Sequence, residues 1–269
     1  MSKLTSISEM QEYILDRTGF DGSLAVILGS GLGAFANNLE NTLTIPYGDI
    51  PEYPQASVEG HAGEMVFGEI NGIKILTAKG RFHFYEGFDF HTVTTPIRLF
   101  NKLGITKLII TNAAGSMNLS QRPGSLMVLT GHLDCTFRHG LQPPEIVTGL
   151  PYYNSDVIKL VLKAADLSGV GIYRGNYCWA MGPAYETPSE VNFFRSLGGD
   201  AVGMSTVPEI LAAGELGMSV LGLSCLTNFA AGITKQPLTH AEVMETAQRV
   251  GADFTKLLLK IIGMWKGTL

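Results

Sequence analysis

Uninterrupted apolar runs recur along the chain, and each is followed by glycine or by small and polar residues. The clearest runs cover residues 24–28, 108–111, 126–129, 201–204 and 220–226, and residues 170–181 are also strand-like. Continuous apolar runs of this kind are typical of strands that are buried on both faces. Residues 66–79 instead alternate between apolar and polar positions and turn at Asn71-Gly72, which predicts a hairpin.

Segments with helical spacing separate these strands, at residues 8–17, 94–103, 156–167 and 239–265. Strands that alternate with helices predict a three-layer α/β/α fold, with helices on both faces of a central sheet. No linker divides the chain, so we expect a single domain over residues 1–269. Residues 131–151 are rich in proline, glycine and polar residues, and they are predicted to form a long surface loop.

Composition changes this picture mainly by excluding classes of function. Of the 269 residues, 45% are hydrophobic and 16% are charged, so the chain can bury a large core. The small charged fraction also favours a surface that is partly covered by a partner subunit. A net charge of -5 argues against binding to nucleic acid or to an anionic membrane.

Cys135, Cys178 and Cys225 are widely spaced in apolar sequence, as expected of buried residues in a reducing compartment. No apolar run reaches the length of a membrane-spanning helix, and the N-terminus lacks the apolar core of a signal peptide. We therefore expect a soluble, cytoplasmic protein that binds neither membrane nor nucleic acid.

Two helix starts are predicted in the second half of the chain. Thr187 and Glu190 have the spacing of a capping box, with Pro188 at the first helical position. Thr206 and Glu209 repeat the same spacing. Both glutamates are therefore predicted to cap helices.

Glu186 differs from these two, because it follows a predicted strand and precedes the cap, beside Tyr185. Open α/β sheets bind ligands beyond the carboxyl ends of their strands, so both side chains are candidates to face a ligand. A solvated loop glutamate is the alternative interpretation.

Further segments at predicted strand ends carry candidate chemistry. Residues 29–33 match no dinucleotide, P-loop or nucleophile-elbow spacing, and they form either a plain turn or a loop whose amides hold an anion. Arg81, His83 and Tyr85 alternate, so an extended segment would place them on one face, where they could grip an oxyanion. A solvated edge strand is the alternative. Residues 112–116 have small side chains that let a ligand approach the backbone.

Other chemistry is not indicated. The histidine pairs of the chain lack metal-ligand spacing and cysteine partners. His61 lies in a predicted loop and is individually uninformative, and a lone histidine such as His240 is more often structural. No Ser-His-Asp or Cys-His arrangement is compelling, so neither a metal site nor a covalent nucleophile is predicted. What remains is a set of anion-binding loops with one carboxylate, Glu186, and one amide, Asn228.

Six motifs, taken together and in order, resemble those of the trimeric purine nucleoside phosphorylases. LGSGLG (28–33), GRFHFYEG (80–87) and TNAAG (111–115) look like the phosphate-side motifs. GPAYET (182–187), VGMSTVPE (202–209) and TN (227–228) look like the nucleoside-side motifs. The resemblance implies a nucleoside phosphorylase-like fold with a mixed central sheet, a homotrimer, and phosphorolysis of inosine, guanosine or xanthosine in purine salvage. Inorganic phosphate would be the co-substrate, with no cofactor.

The resemblance also implies a role for each matching position. The phosphate-binding residues would be Ser30, His61, Arg81, His83, Ala113 and Ser205. The ribose-binding residues would be Tyr85, Met204 and His240. The base-binding residues would be Ala114, Gly115, Tyr185, Glu186, Val202, Gly203, Thr227 and Asn228. Asn228, Glu186 and His83 would serve catalysis, and Glu86 would orient His83.

The chain departs from the family after the predicted strand 126–129. Relatives usually carry Asp-His-Ile-Asn there, whereas this chain has Gly-His-Leu-Asp at 131–134, followed by a shortened and rewritten loop. In the family, a phenylalanine from this region closes the ribose site of the neighbouring subunit. Phe137 is the nearby phenylalanine, and the sequence leaves its part in such a contact open.

Two alternatives remain beside this interpretation. One is a non-catalytic nucleoside-binding protein of the same fold, which would show no phosphate-dependent turnover. The other is a 5′-methylthioadenosine phosphorylase, which acts on a 6-aminopurine. Glu186 and Asn228 together favour a 6-oxopurine, because Glu186 can accept the N1 hydrogen that adenine lacks.

Overall fold

A central sheet organises the structure, a computed structural model that describes residues 3–55, 62–140, 142–234 and 240–265. The strands are β1 Leu24–Leu28, β2 Glu40–Pro46, β3 Glu64–Ile70, β4 Ile73–Lys79, β5 Lys107–Ser116, β6 Ser125–Asp134, β7 Val147–Thr148, β8 Ile172–Trp179, β9 Ala201–Gly203 and β10 Ser219–Phe229. The α-helices are α1 Lys3–Thr18, α2 Phe90–Val93, α3 Thr95–Lys102, α4 Ser155–Ser168, α5 Pro188–Ser196, α6 Val207–Glu215 and α7 His240–Trp265. Short 3-10 helices cover Gly33–Asn38, Tyr47–Asp49 and Phe84–Glu86.

These strands form one mixed sheet in the order β10-β6-β8-β9-β5-β1-β4-β3-β2, and β7 pairs with β6. β10 also pairs with β5, so β5, β9, β8, β6 and β10 close into a ring. β4, β1, β5 and β10 run parallel to one another, whereas β9 runs antiparallel to β5, and β6 antiparallel to β10. The carboxyl ends of the four parallel strands therefore meet at one edge of the sheet.

Side chains of the central strand β1 alternate between two apolar cores. Ala25 and Ile27 belong to the core that includes buried side chains of α1, α3 and α6. Leu24, Val26 and Leu28 belong to the core that includes those of α4 and α7. A strand covered on both faces needs apolar residues at every position, which explains its uninterrupted apolar sequence. The arrangement confirms the predicted α/β/α fold with a mixed central sheet.

Two strands run further than their apolar stretches predict. β5 continues through 112–116, and β6 continues through 131–134 into the segment predicted to be a loop. The end of β5 pairs with β10 and β9, and the end of β6 pairs with β8 and β7. The loop prediction for 131–151 was therefore wrong at 131–134 and at 147–148. Backbone pairing, rather than hydrophobicity, sets where these strands end.

Candidate active site

A cavity lies at the edge of the sheet where β1, β4, β5, β9 and β10 end. The final residues of these strands and the segments after them converge there, although the strands come from distant parts of the chain. The cavity is lined by Ser30, Arg81, His83, Tyr85, Asn112, Ala113, Ala114, Gly115, Tyr185, Glu186, Val202, Gly203, Met204, Ser205, Asn228, Ala230 and Val243.

The structure places most of the predicted site residues in this lining. Thr227 is the exception within the described residues, because it is buried without lining the cavity. His61 lies outside the described residues, as does the side chain of His240. Asn112 also lines the cavity, although it was not among the predicted site residues. Its position next to Ala113 in the same motif could have indicated it. Ala230 and Val243 line the cavity too, and no motif in the sequence indicated them.

Arg81 supplies a positive charge to the cavity. Its Nε donates to Glu209 Oε1 at 3.2 Å, and its Nη1 donates to Ser205 Oγ at 3.2 Å. The side chains of Arg81 and Glu209 are only 3% and 2% exposed. A guanidinium held from two sides keeps one orientation, and its planar set of donors matches the oxygens of an oxyanion. This part of the cavity therefore suits an anion.

Glu209 was predicted to cap α6, and this prediction was wrong. Thr206 makes no side-chain capping hydrogen bond, and its φ of 76° lies in the left-handed region. Glu209 is buried against Arg81 instead. Glu190, by contrast, forms the predicted capping box with Thr187 at the start of α5. The two glutamates have the same local spacing, so the difference arises from what packs against each of them.

His83 and Tyr85 line the cavity beside each other, with ring centroids 4.7 Å apart. Glu86 Oε1 accepts from the His83 backbone N–H at 2.8 Å and contacts His83 Nδ1 at 3.0 Å, which confirms the contact expected of Glu86. The alternation in its sequence would suit an extended conformation, but the segment is not extended throughout, because this capping box starts the 3-10 turn Phe84–Glu86. Burial raises the pKa of Tyr85 to about 12, so its hydroxyl stays protonated at neutral pH.

Glu186 reaches the cavity from the segment between β8 and α5. Its Oε1 atom is buried and has no hydrogen-bond partner among the described residues. Burial raises the pKa of this carboxyl, because desolvation disfavours its charged form. An unsatisfied buried acceptor costs about 1–3 kcal/mol, which a ligand that donates a hydrogen bond would recover. The cavity therefore presents an acceptor for an N–H group of a ligand.

A bulge at Thr227 helps to position Asn228. The pairing of β10 with β5 shifts register between Leu226 and Asn228, so Thr227 is the extra residue. The Thr227 hydroxyl donates to Asn228 Oδ1 at 2.9 Å, which fixes the orientation of the amide. Asn228 Nδ2 donates one hydrogen to the Phe229 carbonyl at 3.0 Å, and no described residue accepts its second hydrogen, which a ligand could accept. Thr227 thus contacts the amide of Asn228 and does not itself line the cavity.

Two glycines leave room for a ligand. A Cβ at Gly115 would lie 3.2 Å from Asn228 Nδ2. Gly182 has a φ of +71°, and a Cβ there would lie 2.5 Å from Met204 Sδ. A larger residue at either position would displace a side chain that lines the cavity.

The rewritten segment after β6 contributes none of the described residues that line this cavity. Phe137 stacks on Phe193 with ring centroids 6.4 Å apart, and both rings are partly exposed. The Arg138 guanidinium lies over the rings of Phe84 and Trp179.

Two absences hold for the part of the chain that the structure describes. No group of three or more His, Cys, Asp and Glu side chains is placed to hold a metal ion. No helix there has both the length and the apolar character needed to span a membrane.

Comparison with known proteins agrees with this geometry. The family model described as phosphorylase superfamily matches residues 23–263. The chain is 42% identical to purine nucleoside phosphorylase 1 of Geobacillus stearothermophilus over 265 residues, which cover 96% of this chain and 97% of the relative. It is 45% identical to purine nucleoside phosphorylase 1 of Bacillus subtilis over 250 residues, which cover 90% and 92%.

Solved structures share the fold over nearly the whole chain. The crystal structure of Schistosoma mansoni purine nucleoside phosphorylase in complex with inosine has a TM-score of 0.87 at 32% identity, with 96% of each chain covered. A Schistosoma purine nucleoside phosphorylase in complex with hypoxanthine gives 0.87 at 33% identity, again with 96% of each chain covered. The fold is that of the phosphorylase superfamily. Within it, this chain belongs to the purine nucleoside phosphorylases.

Proposed function

We propose that the protein catalyses the phosphorolysis of purine nucleosides to the free base and (deoxy)ribose 1-phosphate. Membership of the purine nucleoside phosphorylases supports the reaction. The single observation that carries it is the content of the cavity. A buried arginine, Arg81, is held beside Ser205, and the same cavity contains a Glu186 carboxylate oxygen that has no hydrogen-bond partner among the described residues. One group suits an anion and the other suits an N–H donor of a base.

The chemistry follows from the charges that develop as the glycosidic bond breaks. The sugar becomes positive and the purine becomes negative. A phosphate held near Arg81, His83, Ser30, Ala113 and Ser205 stabilises the cationic sugar and then captures it at C1′. Phosphate is thus the nucleophile, and the protein need not supply one. Binding that strengthens as charge develops lowers the barrier, whereas equal binding of substrate and transition state does not.

The base is held by Glu186 and Asn228 in this proposal. Glu186 accepts from N1–H of a 6-oxopurine, and Asn228 Nδ2 donates its remaining hydrogen towards N7 or O6. That hydrogen bond strengthens as the leaving purine gains negative charge. Adenine presents a lone pair at N1, which faces the Glu186 oxygen unfavourably. A site built around a buried hydrogen bond rejects a ligand that lacks it by about 10⁴-fold or more.

The remaining assignments rest on the family resemblance. By that resemblance we assign ribose binding to Tyr85, Met204 and His240, and phosphate binding to His61. The whole chain, 1–269, forms one phosphorylase domain in the cytoplasm. It assembles as a closed homotrimer, an arrangement that the low charged fraction of 16% supports. Light scattering measures that assembly, and a fully active monomer at micromolar concentration would exclude it.

The function is tested with inosine, guanosine, adenosine and 5′-methylthioadenosine, each with and without phosphate. We expect cleavage of inosine and guanosine only when phosphate or arsenate is present. Hydrolysis at an equal rate in phosphate-free buffer would contradict phosphorolysis, and binding without turnover would indicate a non-catalytic protein. Preferential cleavage of 5′-methylthioadenosine would overturn the 6-oxopurine specificity alone.

Arg81→Ala sharpens this test. It removes the positive charge that the structure places in the cavity, so the KM for phosphate should rise by at least about 10²-fold. The KM for inosine should change much less. Arg122→Ala is the matched control, because Arg122 is exposed and does not line the cavity. An equal effect of both variants on phosphate would contradict the role of Arg81.

A further inference from the structure

Three side chains next to Arg81 form a hydrogen-bonded chain. Asn112 Nδ2 donates to Thr206 Oγ1 at 2.9 Å. Thr206 Oγ1 and Ser205 Oγ are 3.1 Å apart. Arg81 Nη1 donates to Ser205 Oγ at 3.2 Å. Ser205 and Asn112 line the cavity, whereas Thr206 is fully buried between them.

The chemistry of the donors sets the direction of this chain. Asn112 Nδ2 and the Arg81 guanidinium can only donate. The Thr206 hydroxyl therefore accepts from Asn112, and Ser205 Oγ is the only acceptor that the described residues offer to its buried hydrogen. Ser205 Oγ then accepts twice, from Arg81 and from Thr206, which occupies both of its lone pairs. Its own hydrogen is left for an acceptor in the cavity, which Ser205 lines, and the Tyr177 hydroxyl, which accepts from the Ser205 backbone N–H at 3.4 Å, is the other group beside it.

The backbone of Thr206 shows that this position is constrained. Its φ of 76° is in the left-handed region, which a β-branched residue rarely adopts. Such a conformation costs on the order of 1–3 kcal/mol and persists where the surroundings determine it. A plain helix start would not need it, and Thr206 makes no capping bond to α6. The strained backbone instead places the hydroxyl between Asn112 and Ser205.

We infer that Thr206, oriented by Asn112, is a positioning residue that makes the Ser205 hydroxyl a dedicated donor to the anion bound beside Arg81. This inference rests on the proposed function, in which that anion is the attacking phosphate. A serine hydroxyl that is free to rotate must be ordered when the anion binds. Here the order exists before binding, so less of the binding free energy is lost.

Two substitutions test the inference. Thr206→Val keeps the shape and removes the hydroxyl, and we expect the KM for phosphate to rise by about 10-fold, as for the loss of one well-placed hydrogen bond. The KM for inosine should stay within about 2-fold of wild type, because Thr206 does not line the cavity. Thr206→Ser keeps the hydroxyl and should restore the wild-type KM for phosphate. Thr77→Val is the matched control, since Thr77 is equally buried but bonds only to the Val66 carbonyl of the sheet.

Repeating the Thr206 substitution in a Ser205→Ala variant distinguishes an effect on the Ser205 hydroxyl from a general effect on packing. In Ser205→Ala, which has no hydroxyl to orient, Thr206→Val should add no further rise in the KM for phosphate. An equal rise in both backgrounds would overturn the inference, as would an unchanged KM in the single variant. If the valine variant does not fold, Thr206→Ala replaces it under the same criteria, because it has no branched side chain at the strained position. Wild-type turnover without phosphate would instead contradict the proposed function itself.

Discussion

Glu209→Gln removes the negative charge beside Arg81 but keeps the shape of the side chain and one acceptor oxygen. At the observed Nε–Oε1 distance of 3.2 Å, the Coulomb attraction is about 5 kcal/mol for an effective dielectric constant of about 20. Breaking a buried ion pair costs about 3–5 kcal/mol, because the other charge stays buried without compensation. The glutamine carbonyl keeps a hydrogen bond of about 1 kcal/mol. We therefore expect the free energy of unfolding to fall by about 3 kcal/mol.

Phosphate should change this result. In the variant, bound phosphate supplies the negative charge that Arg81 has lost, so it should stabilise the variant more than the wild type. Thermal unfolding is measured for both proteins in phosphate-free buffer and at saturating phosphate. For a chain of this size, a loss of about 3 kcal/mol lowers Tm by roughly 6–12 °C. We expect phosphate to reverse at least about half of that difference.

Glu190→Gln is the matched control. Glu190 has the same spacing from a threonine as Glu209, but it is exposed and caps α5. Because glutamine also serves in a capping box, the cost should stay below about 1 kcal/mol and should not depend on phosphate. The reasoning about Glu209 is refuted if Glu209→Gln unfolds within about 2 °C of wild type in phosphate-free buffer. It is also refuted if the difference is the same in both buffers.

Two further predictions concern the base. The pKa of Glu186 is raised, and the ionised carboxylate is the stronger acceptor. We therefore expect kcat/KM for inosine at saturating phosphate to fall as pH decreases through a value above the ordinary glutamate pKa of 4.5. Glu186→Gln should lack this decrease at acid pH, and an unchanged decrease would show that another group titrates. Asn228→Asp should lower kcat/KM for inosine by at least about 10²-fold, because an ionised aspartate repels N7 and O6, while adenosine should lose much less. An unchanged inosine-to-adenosine ratio in a folded variant would show that Asn228 does not distinguish the 6-position.

Much of the fold follows from local pattern. A strand buried on both faces needs apolar residues at every position, and β1 was predicted at its observed bounds for that reason. The capping box at Thr187 and Glu190 was predicted as well, because its hydrogen bonds join residues three positions apart. The ends of β5 and β6 were not predicted, since pairing with distant strands extends them through polar and small residues.

The sequence by itself determined the family and most of the candidate cavity lining, because the six motifs combine unusual residues in a fixed order. Only the tertiary structure decided what Glu209, Thr206 and Thr227 do. Each lies in a local pattern that equally describes a helix cap or a strand end. Their observed contacts depend on which distant side chain packs against them: Arg81 for Glu209 and Asn112 for Thr206. For Thr227, the contacts depend on the bulge in the pairing of β10 with β5. A contact between residues far apart in sequence leaves no periodic signal along the chain, and so it becomes visible only when the chain is folded.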